Sequence, residues 1–239
     1  AATAYTRPVL SLVPAVPPLL LATAFTAGLV RGFSGFGAGM IFVPMGAALV
    51  GPAMTIALLW LSDGLAQLFL LRGAARIARY RELVPLFVGF LVGLPAGLWL
   101  LLTLDAIVLR WIIGGLILAG LLAAILGVRA ARASGTAGSI GLGAAAGVTG
   151  GSTGLSGLPI ILFWLAGPQS GAEIRAGLTM FFFATSIVSG IGYVATGVVD
   201  QAALAAALLV VPLYGLGIAA GAWIFGRAPE AAFRPVAWG

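Results

Sequence analysis

Glycine, rather than any acid–base pair, carries the most chemical promise in this chain. Gly32-Phe33-Ser34-Gly35-Phe36-Gly37-Ala38-Gly39 puts four glycines in eight residues. Gly147-Val148-Thr149-Gly150-Gly151-Ser152-Thr153-Gly154-Leu155-Ser156-Gly157 repeats the device and adds four hydroxyl residues. Each glycine weakens a helix by roughly 1 kcal/mol relative to alanine, so both stretches predict broken helices. The first N–H groups of a restarting helix lack partners within it and attract anions. Restarts at Met40 and Leu158 therefore offer two anion-binding ends. The candidate substrate-binding set is Arg31, Ser34, Gly35, Gly37, Gly39, Thr149, Gly150, Gly151, Ser152 and Thr153, acting through backbone amides, hydroxyls and one guanidinium. The competing use of such glycines is close helix packing. That use suits Gly28-x3-Gly32 and Gly89-x3-Gly93-x3-Gly97 better.

Charged residues inside apolar segments come next. Arg31 adjoins the first break, where a carboxylate or an anion would pair it. Asp63 is the one acid far from a predicted helix end, and Gln67 follows one turn later on the same face. Asp63 reads either as a coupling site for a proton or cation, with Gln67 beside it, or as one half of a structural salt bridge, with Arg31 its partner. Glu173 and Arg175 read as interfacial charges. So do Asp105 and Arg110, and Arg79 and Glu82. Trp60 and Trp164 read as exceptions to the interfacial belt that the other Trp and Tyr form.

The inventory excludes most catalysis. The chain has no His and no Cys, which removes the usual general base, the commonest metal ligand and all thiol chemistry. Gly32-Phe33-Ser34-Gly35 matches the G-x-S-G of intramembrane serine proteases, but that chemistry needs a base that is missing here. An aspartyl protease needs two carboxylates that meet. The reading is therefore not an enzyme, with no cofactor and no metal site.

Stepping from residues to elements, 62% of the 239 residues are hydrophobic and 8% charged, where a soluble domain has roughly 25% charged. Lipid must be the main solvent, so the fold class is all-α and polytopic. No basic stripe interleaved with aromatics points to nucleic acid. Apolar runs cover 17–33, 40–50, 53–71, 83–102, 106–128, 140–148, 158–166, 177–194 and 202–225. The runs at 40–50 and 158–166 are too short to span alone. Either each glycine-rich helix and the short run after it form a re-entrant hairpin, or the pair crosses the bilayer. Arginines gather in cytoplasmic loops. With hairpins, Arg72, Arg76, Arg79, Arg81, Arg129, Arg132, Arg175, Arg227 and Arg234 fall inside and Arg7 and Arg110 outside, nine against two. With crossings the split is seven against four, so hairpins are favoured.

The two breaks are copies. Gly28, Gly32, Gly35, Gly39 and Pro44 return as Gly143, Gly147, Gly150, Gly154 and Pro159, each 115 positions on. Gly51-Pro52 returns as Gly167-Pro168. Gly93, Gly97 and Arg110 return as Gly217, Gly221 and Arg234, at 124, an offset that also sets Ser62 against Ser186. The expected organisation is a first repeat over 1–133 and a second over 134–239. Each holds a broken helix or re-entrant hairpin plus about three spanning helices, related by pseudo-symmetry and inverted. Only five residues follow Arg234, so the last helix of the second copy is expected to be either missing or beyond this sequence.

The doubled glycine-rich motif followed by proline, with the arginine-rich loop after the first long helix, resembles the TauE/SafE family of sulfite exporters. The resemblance runs from about Ala22 to Arg234. It implies two related halves of four helices and transport of sulfite, sulfonates or related organosulfur acids. The chain departs from that pattern in lacking the last helix, and in reading Gly-Phe-Gly-Ala-Gly at its first motif. The combined expectation is a secondary transporter in the cytoplasmic membrane of a bacterium. It would move a small sulfur-containing anion by alternating access around a midplane site, with H+ or Na+ as coupling ion. A passive anion channel built on the same cradle is the alternative. Beyond substrate and lipid, the partner left open is a second copy of the chain.

Overall fold

The computed structural model describes residues 16–126, 135–165 and 170–227. Arg7, Arg129, Arg132, Arg234 and the Gly167-Pro168 pair lie outside them. Among the described residues there are nine helices and no strand. They are α1 (Pro18–Ser34), α2 (Ala38–Leu49), α3 (Pro52–Ile77), α4 (Tyr80–Thr103), α5 (Ala106–Ile125), α6 (Gly135–Thr153), α7 (Gly157–Leu165), α8 (Gly171–Ala195) and α9 (Gln201–Phe225). By length and composition α4, α5, α8 and α9 can each cross a membrane. The chain is a polytopic membrane protein.

Local sequence explains where these helices stop. Gly35 takes a left-handed φ of 83° and its N–H closes α1 on the Arg31 carbonyl at 2.8 Å. Gly37, at φ 86°, then opens α2, a conformation that a side chain rarely adopts. Gly51 and Pro52 turn the chain into α3, since proline suits the first helical turn. Ser170 and Glu173 form a reciprocal capping box at the start of α8. Asp200 caps α9 through the Ala203 amide at 2.7 Å.

The second break is narrower than the sequence suggested. α6 stays helical through Gly147, Gly150 and Gly151 to Thr153 and ends at Gly154, whose φ is 73°. The glycines before it are spent on packing. A Cβ on Gly143 would lie 2.0 Å from the Leu86 carbonyl oxygen, and one on Gly147 2.4 Å from that of Phe90. The helices restart at Ala38 and Gly157, one or two residues ahead of Met40 and Leu158.

Two parallel, glycine-lined contacts dominate the packing. Gly28 and Gly32 of α1 meet the backbone of Tyr214 and Ile218 of α9, and Gly217 and Gly221 meet Phe25 and Leu29 in return. Between α4 and α6, Gly143 and Gly147 meet Leu86 and Phe90, while Gly89 and Gly93 meet Ile140 and Ala144. The α6 positions lie 115 after their α1 counterparts (143 − 28). The α4 positions lie 128 before those of α9 (214 − 86, 217 − 89). The 124 offset read from the sequence is thus one helical turn short. Gly217 answers to Gly89 in its contacts, because carbonyl approach, rather than the best glycine match, sets the register.

α3 and α8 run antiparallel. Trp60 lies against Gly190 and donates its indole N–H to the Ser186 carbonyl at 2.8 Å, while Gly64 approaches the Ser186 hydroxyl. Arg79, at the α3–α4 junction, makes two hydrogen bonds to Glu173 Oε1, at 2.7 and 3.0 Å. Those bonds raise the already high pKa of Arg79. Arg175 stacks on Phe225, so the start of α8 and the end of α9 meet at this same end of the bundle.

Candidate functional site

The two hairpin tips touch. A Cβ on Gly39 would lie 3.2 Å from the Leu155 side chain and 3.5 Å from the Gly154 carbonyl oxygen. Around this junction lies a cavity of about 110 Å³. The first turn of α2 lines it with Gly37, Ala38, Gly39 and Met40, and the start of α7 with Leu155, Ser156, Gly157 and Leu158. Both short helices therefore turn their N-terminal ends, with their partial positive charge, to one space.

Arg31 and Asp63 sit in the wall. Arg31 is 2% exposed. Its Nε lies 2.9 Å from Asp63 Oδ1, and its Nη1 donates to the Gly35 carbonyl at 2.5 Å. Its guanidinium lies over the Phe182 ring at 4.6 Å. Asp63 is held from two more sides. Tyr214 donates to Oδ1 at 2.7 Å, and Gln67 Nε2 donates to Oδ2 at 2.7 Å. The expected ion pair between Arg31 and Asp63 is present. It leaves Arg31 Nη2 buried and without a hydrogen-bond partner among the described residues. An unmet guanidinium N–H inside a membrane protein is costly. An anion entering the cavity could satisfy it.

Six of the twelve residues expected at the site line this cavity: Arg31, Gly37, Gly39 and Gly150, with Asp63 and Gln67. The other six do not. Ser34 Oγ donates to carbonyls of Val30 and Phe36. Thr149, Ser152 and Thr153 hydroxyls bond to carbonyls three or four residues back, at Ala145 and Ala146, Val148 and Thr149. Hydroxyls in a helix take that local acceptor readily, so the expected donor cradle is not assembled from these four. Gly35 is covered by Arg175, whose Cγ a Cβ would meet at 2.5 Å. Gly151 packs on Gly97, whose Cα a Cβ there would meet at 3.0 Å.

α8 supplies a polar wall that the sequence reading missed: Thr185, Ser186, Ser189 and Tyr193. Tyr193 donates to the Gly150 carbonyl at 3.0 Å and fixes the end of α6. The one signal available was Ser186 opposite Ser62. Trp60 faces the cavity, as suggested, whereas Trp164 packs away from it and donates to Glu82 at 3.2 Å.

No curated protein and no solved structure matches the chain. A family match covers residues 20–238, and that family is described as Sulfite exporter TauE/SafE. Members are membrane transporters of sulfite and sulfonates, which fits a multi-pass helical chain. The match spans nearly the whole sequence, both hairpins and every cavity residue included, and the chain therefore belongs to the sulfite exporter TauE/SafE family.

Proposed function

We propose that this chain is a secondary transporter. It moves a small sulfur-containing anion, sulfite or a sulfonate, across the inner membrane of a bacterium. The observation that carries the proposal is buried Arg31, with an unpartnered Nη2, in the wall of the cavity between the two hairpin tips. The facing N-terminal ends of α2 and α7 add positive potential without adding a full charge that would trap the anion. Part-buried Gly37 and Gly39 line the same cavity with bare backbone.

The architecture supports alternating access as the mechanism. Two inverted copies, approximately 1–133 and 134–239, would rock about the fixed site and open it to each side in turn. Antiparallel α3 and α8 support that inversion: a hairpin plus three crossings per copy reverses direction, while one crossing per pair would leave these helices parallel. The arginine-rich end then faces the cytoplasm. Asp63 serves as the coupling group, because an anion that engages Arg31 competes with it, and a proton taken up by the carboxylate would restore neutrality. A channel is the second reading, since the same cavity could form part of a pore.

Transport assays on the purified chain in liposomes test the reading. Saturable uptake and counterflow of labelled sulfonate are expected, with loss of both in Arg31→Gln while the variant still elutes as a folded species. Unsaturable, ohmic flux would instead favour the channel. A folded Arg31→Gln variant that binds and carries sulfonate as well as the unaltered chain would sink the site.

A further inference from the structure

We infer that the cavity takes an organic monoanion with a short, uncharged tail, in preference to an inorganic dianion or a zwitterion. The inference rests on the transporter reading above and narrows its substrate.

Charge supplies the first argument. Among the residues lining the cavity, Arg31 is the one cation and Asp63 the one acid, and the two are paired. The ends of α2 and α7 each add roughly half a positive charge. One negative charge brings this set near neutrality. A second would meet only neutral polar groups such as the α8 hydroxyls and stand without a counter-charge, at the cost that burial imposes on any unpaired charge. A tail ammonium fares no better, since Asp63 is already ion-paired with Arg31 and accepts from Tyr214 and Gln67.

Shape supplies the second. The cavity has more apolar than polar lining, with Phe90, Leu158, Ile161 and Phe182 prominent. Phe182 serves two sides of it. Its ring lies under the Arg31 guanidinium and also against Gly157, where a Cβ would come within 2.9 Å. Gly150 packs closely on two of the lining residues, since a Cβ there would lie 3.2 Å from the Phe90 ring and 2.7 Å from Ser156 Cβ. A headgroup on Arg31 thus leaves a tail next to aromatic carbon. The volume, about 110 Å³, is below the ~150 Å³ that holds a benzene ring, so two or three carbons fill it. Recognition by a guanidinium and helix ends reads charge and acceptor oxygens. Nothing in it demands sulfur, and a carboxylate of equal size should bind too.

Titration calorimetry on the full chain in detergent tests this. The probes are methane-, ethane- and propanesulfonate, propionate, taurine, sulfite and sulfate. Affinity is expected to rise about fourfold for each methylene buried, with propionate within tenfold of ethanesulfonate. Taurine and sulfate should bind at least tenfold more weakly than ethanesulfonate. In Gly150→Ala the gain per methylene should shrink, because the added methyl would push Ser156 and the Phe90 ring into the cavity they line. Sulfate, sulfite or taurine binding as tightly as ethanesulfonate would overturn the inference and leave the transporter reading standing. Silence from every probe would remove both.

Discussion

The Arg175 guanidinium donates to the carbonyl oxygen of Gly32 at 2.9 Å, from the first turns of α8 to the last turn of α1. The same group stacks on Phe225 at 4.3 Å, and its stem covers Gly35. One side chain thus joins three helices where α1 ends. It satisfies a carbonyl that the helix itself leaves open. Arg175→Ala should lower thermal stability, by about 1–3 kcal/mol for a lost charge-assisted bond. Arg175→Lys should not restore it, because an ammonium neither forks nor stacks. Equal melting temperatures for both variants and the unaltered chain would contradict this.

Gly35 should tolerate alanine poorly for two separate reasons. Its φ of 83° strains any side chain, and the added carbon would meet Arg175 Cγ. The double variant Gly35→Ala with Arg175→Ala removes the collision and keeps the strain. It should therefore recover only part of the loss seen in Gly35→Ala, as read by melting temperature in detergent.

Asp63→Asn leaves Arg31 without a counter-charge. Removing one partner of a buried pair costs about 3–5 kcal/mol, so the variant should melt lower. A monoanion should then supply the missing charge. The melting temperature of Asp63→Asn should rise more steeply with added ethanesulfonate than that of the unaltered chain. Transport by the variant should no longer respond to an imposed proton gradient. A proton dependence unchanged by the substitution would take the coupling role from Asp63.

The glycines divide into two classes with opposite expected responses. A Cβ on Gly93 would sit 2.0 Å from the Ala144 carbonyl oxygen, and one on Gly221 2.1 Å from that of Leu29. Alanine at either forces the helices apart and should destabilise by 2 kcal/mol or more, roughly the upper range for single substitutions. Gly115 and Gly215 have nothing within 4 Å. Alanine there should be neutral or stabilising by up to about 1 kcal/mol. Melting curves of the four variants decide the matter.

Both breaks were legible because they are local events, and glycine density reports them directly. The pairing of Arg31 with Asp63 was legible as an option, since one deep cation and one deep acid have few other partners. The polar wall of α8 was hidden. Thr185, Ser189 and Tyr193 stand in an apolar helix at spacings that serve packing equally well, and only the crossing with α3 turns them inward. The hydroxyls of Ser34, Thr149, Ser152 and Thr153 misled for the opposite reason. Their abundance at the break suggested ligands, yet each finds an acceptor on its own backbone. The 128 offset between α4 and α9 was out of reach, because a one-turn slip preserves a pattern of glycines every four residues.

The exchange of partners, α1 onto α9 and α6 onto α4, has a consequence for assembly. A glycine-faced groove on α1 emerges from the ribosome early, but its mate is the last helix described. Until α9 arrives, about 170 residues later (201 − 34), that flat backbone strip must lie against lipid or a temporary companion. α4 waits a shorter time for α6. Each half thus completes its packing only against the other, and the α1–α9 contact closes last. Cutting it between residues 126 and 135 should yield fragments that fold only when made together.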